Sequence, residues 1–529
     1  MDDCAHPAME RAWSLHRKVG QLFKSQSHKQ RGLDRQAQGA HNRHRSGKRP
    51  DVTLSGVERG NIGSKKGRQM RIEVLEDIVR REWVITEQER MLNYLTDETA
   101  AEVRPKPASG LVLVKPASSQ EVSSILKLAN DEKFPVFPRG GGTGVCGGAI
   151  PTESGIILSL ERMNRIDVDR NNLMAIVEAG VTLRELIDKV EGESLFFPPH
   201  PGDESAQVGG LAACNAGGSR AVKYGVMRNY IKGINAILPT GELLSMGGEL
   251  LKNNTGYDLM HLIIGSEGTL AVITSVILRL FPQLAASATM IIPYNNRHDA
   301  INTVPEILQS GIMPLAIEYM ERSIVEISAE HLNLEWPCKT GTAYLMIIVE
   351  GGSSSEVYAQ CERIAEICKR RNGLEPVIGE TKKEQDRMLK IRSNIYPALK
   401  RKIADGLDVV VPPAKMGKLM DAIDKIAEHY GNGTNIPMFG HAGDGNLHPF
   451  LMKELAGERG ENLIKVRREI YRETIELGGV ITAEHGLGKI RVPDLDLCFD
   501  KKERELMKSI KNVFDPNGIL NPGCVMKTR

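Results

Sequence analysis

The sequence predicts an α+β fold of two principal domains behind a basic N-terminal extension. Three observations carry that expectation. From about Arg104, short β-like runs alternate with capped amphipathic helices. At Pro282 the pattern changes to longer helix and strand segments. Residues 1–69 show almost no apolar periodicity. The expected boundaries are 1–69 for the extension, 70–103 for an N-terminal helical arm, 104–283 for a first domain and 284–526 for a second.

The extension is Arg-, His-, Gln- and Gly-rich, and residues 1–70 carry 15 Lys/Arg against 6 Asp/Glu. Such a segment buries too little surface to offset its ordering entropy, so it is expected to be disordered. It lacks the apolar core of a signal peptide, and Asp2 and Asp3 argue against a transit peptide. A translation start at Met70, where compact sequence begins, is the preferred reading. The rest of the chain carries 54 Lys/Arg against 61 Asp/Glu, a balance that gives no reason to expect nucleic acid. Eight scattered cysteines with no C-x-x-C argue against an iron–sulfur cluster or zinc ribbon and favour a reducing, intracellular compartment. The longest apolar stretch, residues 261–281, is broken by Gly265-Ser-Glu-Gly268, so no transmembrane segment is expected.

Within the first domain, Ser118-Ser-Gln-Glu121 reads as a capping box opening a helix with Val122, Ile125 and Leu126 on one face. Residues 135–138, 155–160 and 174–177 read as strands, and Thr182-Leu-Arg-Glu185 opens a second boxed helix that stops near Gly192. Strands at 234–238 and 270–278 close the region. The second domain opens with a helix at 300–309, strands at 315–319 and 344–349, and a long helix at 356–371.

Arg139-Gly-Gly-Gly-Thr-Gly-Val-Cys-Gly-Gly148 contains Gly142-x-Gly144-x-x-Gly147, the spacing of a dinucleotide fingerprint. Context defeats that reading, because Pro151 and Gly155 forbid the helix that must follow. Consecutive glycines can still aim backbone N–H groups at a diphosphate as a nest, with Arg139 adding charge. The loop resembles the flavin-diphosphate loop of the vanillyl-alcohol-oxidase type of FAD-binding domain. The likeness continues in order through Pro198-Pro-His-Pro-Gly-Asp203, Val208-Gly-Gly210, Asn215-Ala-Gly-Gly218, Lys223-Tyr-Gly225, Leu238-Pro-Thr-Gly-Glu242 and Gly265-Ser-Glu-Gly-Thr269. His200 stands where family members usually have Asp. The resemblance implies a two-lobed FAD-binding domain whose cofactor contacts are Arg139, Gly140, Gly141, Gly142, Thr143, Gly144, Gly147, Gly209, Gly210, Asn215, Gly218, Val272 and Asn521. Branches with a histidyl-linked flavin carry His at the position of Thr143, so the FAD is expected to be non-covalent.

His441-Ala-Gly-Asp-Gly-Asn-Leu-His448 is the second signal. Two imidazoles suit a borderline divalent metal. In a straight strand their odd separation would put them on opposite faces, but Gly443 and Gly445 permit a bend. Thr482-Ala-Glu-His-Gly-Leu-Gly488 adds a carboxylate beside an imidazole, completing a two-His, one-carboxylate set. The combination closely resembles the C-terminal domain of the D-lactate, glycolate and D-2-hydroxyglutarate dehydrogenases, an α+β FAD-linked oxidase domain. The resemblance implies that His441, His448 and Glu484 hold a divalent metal (zinc, iron or manganese), that His485 is the base, and that Arg392 clamps the substrate carboxylate. It also implies oxidation of a small D-2-hydroxy acid such as D-lactate or glycolate, with hydride transfer to flavin.

Gly406-Leu407 stands where the hydroxyglutarate branch has a substrate Lys, which lowers that alternative. An alkyl-glycerone-phosphate-synthase-like transferase ranks below it, because those relatives carry a run of histidines where this chain has Glu484-His485-Gly486. A subunit that only relays electrons is a third rival, against which the intact His/Glu set argues. With no cluster cysteines, electrons are expected to leave to a separate acceptor: an iron–sulfur subunit, an electron-transfer flavoprotein, a cytochrome or a quinone. A cytoplasmic protein is expected, free or peripheral to the inner face of the membrane, with a homodimer as one option.

Overall fold

The computed structural model describes residues 71–379, 381–430, 435–456 and 461–527. The expectations for residues 1–69 lie outside them.

The first domain is two-lobed. Its first lobe is a four-stranded sheet in the order Val84–Ile85, Leu111–Val114, Gly155–Ser159, Val136–Arg139, with the last three parallel. Leu111–Val114 and Gly155–Ser159 are buried at every position, as parallel strands covered on both faces must be. Helix Ser119–Glu132 packs Val122, Ile125, Leu126 and Ala129 against them. Its start is fixed as expected: Ser118 accepts from the Glu121 N–H, and Glu121 reaches back to the Ala117 N–H at 2.6 Å. The second lobe is an antiparallel five-stranded sheet in the order Ile166–Asp169, Met174–Glu178, Val272–Arg279, Ile231–Ile237, Leu243–Gly247. Helix Leu183–Glu191 begins with the Thr182/Glu185 capping box and ends at Gly192.

In the arm, residues 72–79 and 88–91 form α-helices and 92–94 a 3-10 turn, while 95–104 run without regular structure along the glycine loop. There the Glu98 N–H donates to the Gly144 carbonyl, and Thr99 Oγ1 accepts from the Gly147 N–H at 2.7 Å.

The second domain is an antiparallel eight-stranded sheet. Its order is Val377–Ile378, Ala286–Tyr294, Ala343–Gly351, Ala316–Glu321, Met438–His441, Asn446–Met452, Ile403–Gly406, with Val409–Val410 also pairing with Asn446–Met452. Helices Arg297–Gln309, Ser354–Arg370, Met416–Tyr430 and Glu461–Glu476 cover one face. Arg322–His331 and Lys382–Ser393 cover part of the other, leaving a polar island where Ala316–Glu321, Met438–His441 and Asn446–Met452 run side by side.

The chain then returns to its beginning. Val136 donates its N–H to the Ile519 carbonyl and accepts from the Asn521 N–H, while Ile519 and Leu520 enter the first lobe's core.

Candidate active site

No helix follows the glycine loop; Gly155–Ser159 comes next, as Pro151 and Gly155 require. The helix that meets the loop comes from elsewhere: a Cβ on Gly140 would lie 3.5 Å from Gln207, which precedes Val208–Cys214, and 3.7 Å from Gly210. A Cβ on Gly144 or Gly210 would meet nothing within 4 Å, and Gln207 Oε1 is buried there without a partner. Open glycine backbone facing open glycine backbone is a cradle that side chains would fill, and it fits a flavin diphosphate.

Several of the residues expected at the flavin also have protein contacts of their own. Arg139 turns away: its Nη2 donates to the carbonyls of Asn93 and Thr96, so it braces the loop from behind. It also fixes Gly142, where φ is +73° and a Cβ would strike the guanidinium at 2.1 Å. Gly147 (φ +71°) is needed against Pro105, Gly141 against Ser205, and Gly209 against Ala179, so these three serve packing. Gly218 is packed on the His200 carbonyl. Asn215 is a left-handed helix cap whose Oδ1 accepts from the Arg228 N–H. Val272 spends its side chain in the core. Asn521 donates to the carbonyls of Gly148 and Glu267 and accepts from Lys489, so its side chain ties protein to protein. Thr143 stays on the half-buried loop surface.

The polar island gathers His441, His448, Glu484, His485 and Arg392. Hairpin register resolves the parity problem. His441 pairs with Asn446 and Phe439 with His448, so both imidazoles lie on one face with ring centroids 5.4 Å apart. Paired residues across a hairpin share a face, and the turn resets the count that a straight strand would impose. Gly445 makes the turn possible, with φ +86° and the Val411 carbonyl 1.9 Å from where a Cβ would be.

Three imidazoles converge on one carboxylate oxygen: Glu484 Oε1 lies 3.2 Å from His441 Nε2, 3.6 Å from His448 Nε2 and 3.7 Å from His485 Nε2. His485 stacks on His448 at 5.1 Å. The first domain reaches this cluster through Gly217, where a Cβ would come within 2.9 Å of Glu484 Oε2.

Two carboxylates not anticipated from sequence organise the cluster. Glu318, fully buried, faces His441 Nδ1 at 2.8 Å and pairs with Arg392 Nη2. It directs Nε2 of His441 at Glu484, the arrangement an outer carboxylate gives a metal-binding imidazole. Asp408 Oδ2 accepts the N–H groups of Ala483, Glu484 and His485 at 2.8, 2.9 and 2.8 Å. Ligand atoms of Asp408, His448, Glu484 and His485 also lie within 4.8 Å of one another. Asp408 spends its oxygens on the loop and on Asn446, however, whereas the Nε2 atoms of His441, His448 and His485 and the Glu484 carboxylate are donors that could hold a divalent ion.

Arg392 is not the solvated helix charge that its Lys-rich neighbours would suggest. Its guanidinium is buried, lies 5.0 Å over the Phe439 ring, and keeps Nε without a protein partner.

The charges are strongly coupled. Burial raises Glu484, but His441, His485 and His448 outweigh it and hold the carboxyl well below its usual range. Burial lowers His441, yet Glu318 and Glu484 lift it to about 10. Burial, with His485 beside it, takes His448 down to about 3. One imidazole of the pair is therefore protonated at neutral pH and the other is neutral.

Two family models match the chain: an FAD binding domain over residues 111–247 and the C-terminal domain of FAD linked oxidases over residues 283–525. A D-lactate dehydrogenase of Archaeoglobus fulgidus is 43% identical over 434 residues, 82% of this chain and 95% of that protein. The glycolate oxidase subunit GlcD of Bacillus subtilis is 35% identical over 416 residues, 78% of this chain and 88% of the relative. The solved structure of p-cresol methylhydroxylase with substrate bound aligns at a TM-score of 0.68 and 17% identity, covering 85% of this chain and 95% of that one.

Proposed function

The chain belongs to the FAD-linked oxidases, as an oxidoreductase of the D-lactate dehydrogenase and glycolate oxidase type with a vanillyl-alcohol-oxidase-type FAD-binding domain, and on that premise we propose that it oxidises a small D-2-hydroxy acid, D-lactate or glycolate, to the 2-oxo acid. The observation that carries this reading is the convergence of three imidazoles on Glu484 Oε1 beside the buried guanidinium of Arg392.

The alcohol must lose a proton from oxygen and a hydride from carbon. FAD, held without a covalent bond at residues 140–148 and Gly210, supplies the hydride acceptor; a divalent ion on His441, His448 and Glu484 supplies Lewis acidity at the hydroxyl. The residues do the rest. His485 presents Nε2 to the cluster and takes the hydroxyl proton. Arg392, fixed by Glu318, clamps the substrate carboxylate through its guanidinium, which orients the carbon for transfer. Residues 104–283 serve the flavin and 284–526 the substrate.

A second carboxylate on the substrate is disfavoured. Gly406 has no side chain, and the space beside it is bounded by Phe450 and Tyr396, 3.7 and 3.8 Å from where a Cβ would be. This supports lactate or glycolate over hydroxyglutarate. The scattered cysteines, together with a relative named as a subunit, support electron exit to a separate acceptor. No helix among the described residues is long and apolar enough to cross a membrane; we place the enzyme in the cytoplasm.

Anaerobic flavin bleaching across D- and L-2-hydroxy acids tests the proposal. D-lactate or glycolate should bleach the flavin, while D-2-hydroxyglutarate should do so poorly. Bleaching by none of them would sink it. Acid precipitation should release all FAD, since Thr143 offers no covalent link.

A further inference from the structure

We infer that Glu267, a residue of the flavin-binding half, is a positioning residue for the Glu484–His485 pair. The inference rests on the reading of those two residues as the reaction centre.

The case starts from the loop. Neighbouring residues in an extended chain point opposite ways, yet Glu484 and His485 bring side-chain atoms within 3.7 Å of each other. A backbone bent that far must be held. Asp408 takes the N–H groups of residues 483, 484 and 485. Glu267 takes the next pair: Oε1 accepts from the Leu487 N–H and Oε2 from the Gly488 N–H, both at 2.8 Å. Two carboxylates therefore grip five N–H groups of one six-residue loop. Asp408 comes from the substrate half and Glu267 from the flavin half.

Glu267 is itself held for this task. Its φ of +52° is left-handed, costly for a non-glycine residue. Its own N–H donates to the Ala213 carbonyl, and its carbonyl accepts from Asn521 Nδ2 at 2.9 Å. The Cys524 thiol donates to Oε2 at 3.5 Å. Gly486 lets the loop settle onto the carboxylate, since a Cβ there would lie 2.8 Å from Glu267 Oε1.

Chemistry dictates the residue type. Two adjacent N–H groups need two acceptors, and only a carboxylate offers both. Glutamine keeps the volume but presents an NH2 group to one N–H, so that donor loses its bond and the loop must shift. Because Gly217 already touches Glu484 from the same half, the loop is registered against the domain that binds the flavin.

The test compares Glu267→Gln with wild type as FAD-loaded enzyme. FAD content should match wild type, and Tm should fall by only a few degrees. kcat should fall about tenfold or more with KM little changed, and EDTA should strip bound Zn2+ about tenfold faster, the scale of losing an outer partner of a metal ligand. Wild-type kcat and stripping rate with only a lowered Tm would make the contact simple domain cement and overturn the inference. Amide exchange in wild type decides the matter if the variant does not fold. Residues 487 and 488 should exchange slowly, and rapid exchange would refute the latch. His485→Ala runs alongside. An active His485→Ala defeats the functional reading, whereas an inactive one beside a fully active Glu267→Gln defeats the latch alone.

Discussion

Residues 140–148 and 441–448 both turn on glycine, but the glycines do different work. In the first loop, Gly144 opens onto empty space, and Gly210 does the same from the facing helix. What the loop presents there is backbone. In the second, Gly445 is wedged against the Val411 carbonyl and exists so that two imidazoles emerge on one face. What that turn presents is side chains. The comparison teaches that the flavin half binds through what is missing, and the substrate half works through what the register aligns.

The sharpest way to probe that difference is to truncate a side chain on the substrate half. His485→Ala should lower kcat by about 10²–10⁴-fold, the usual range for a general base, with FAD retained. Stopped-flow flavin reduction measures it, and reduction at the wild-type rate would break the comparison. Glu484→Gln should come next. It removes the negative charge on which three imidazoles converge, so elemental analysis should show metal lost and flavin absorbance unchanged.

Turn substitutions should then separate the two kinds of glycine. Gly445→Ala meets both a left-handed φ and a carbonyl 1.9 Å away, so it should destabilise by roughly 3 kcal/mol or more in urea denaturation. Gly144→Ala meets nothing, so its stability change should stay within about 0.5 kcal/mol while FAD dissociates faster. Equal stability losses from the two would erase the distinction.

The smallest expected effect is on pH. His441 at about 10 carries a proton at neutral pH, whereas His448 at about 3 does not. A divalent ion at His441 Nε2 must displace that one proton, so apparent affinity should rise as pH rises from 6 to 8. Calorimetry in buffers of different ionisation enthalpy should count close to one proton released per ion.

Much of this was legible in the chain. The capping boxes at Ser118 and Thr182 are local signals, and they mark the helix starts that the structure has. The ordered glycine blocks pointed to the first domain, and the His441/His448 spacing to the island. The bracing role of Arg139 was not legible, because charge beside a glycine loop suggests a ligand, whereas the guanidinium donates to the carbonyls of an arm 43 and 46 residues earlier. Glu318 and Asp408 were missed for a related reason. Glu318 lies 123 residues from His441 and Asp408 lies 75 to 77 from the loop it holds, so neither belongs to a local pattern. Acidic residues inside an otherwise apolar strand, Glu318 and Glu321 in Ala316–Glu321, are the one signal that could have exposed Glu318.

The return of the chain end to its beginning bears on biosynthesis. Val136 waits for Ile519 and Asn521, and Asn521 then joins Gly148 to Glu267. A nascent chain that has emerged only as far as residue 283 therefore holds an unfinished flavin lobe. Its edge beside Val136 is open, and the core that Ile519 and Leu520 enter is incomplete. Removing Ile519, Leu520 and Asn521 would therefore open the first lobe's edge and core while leaving every residue before Pro282 in place.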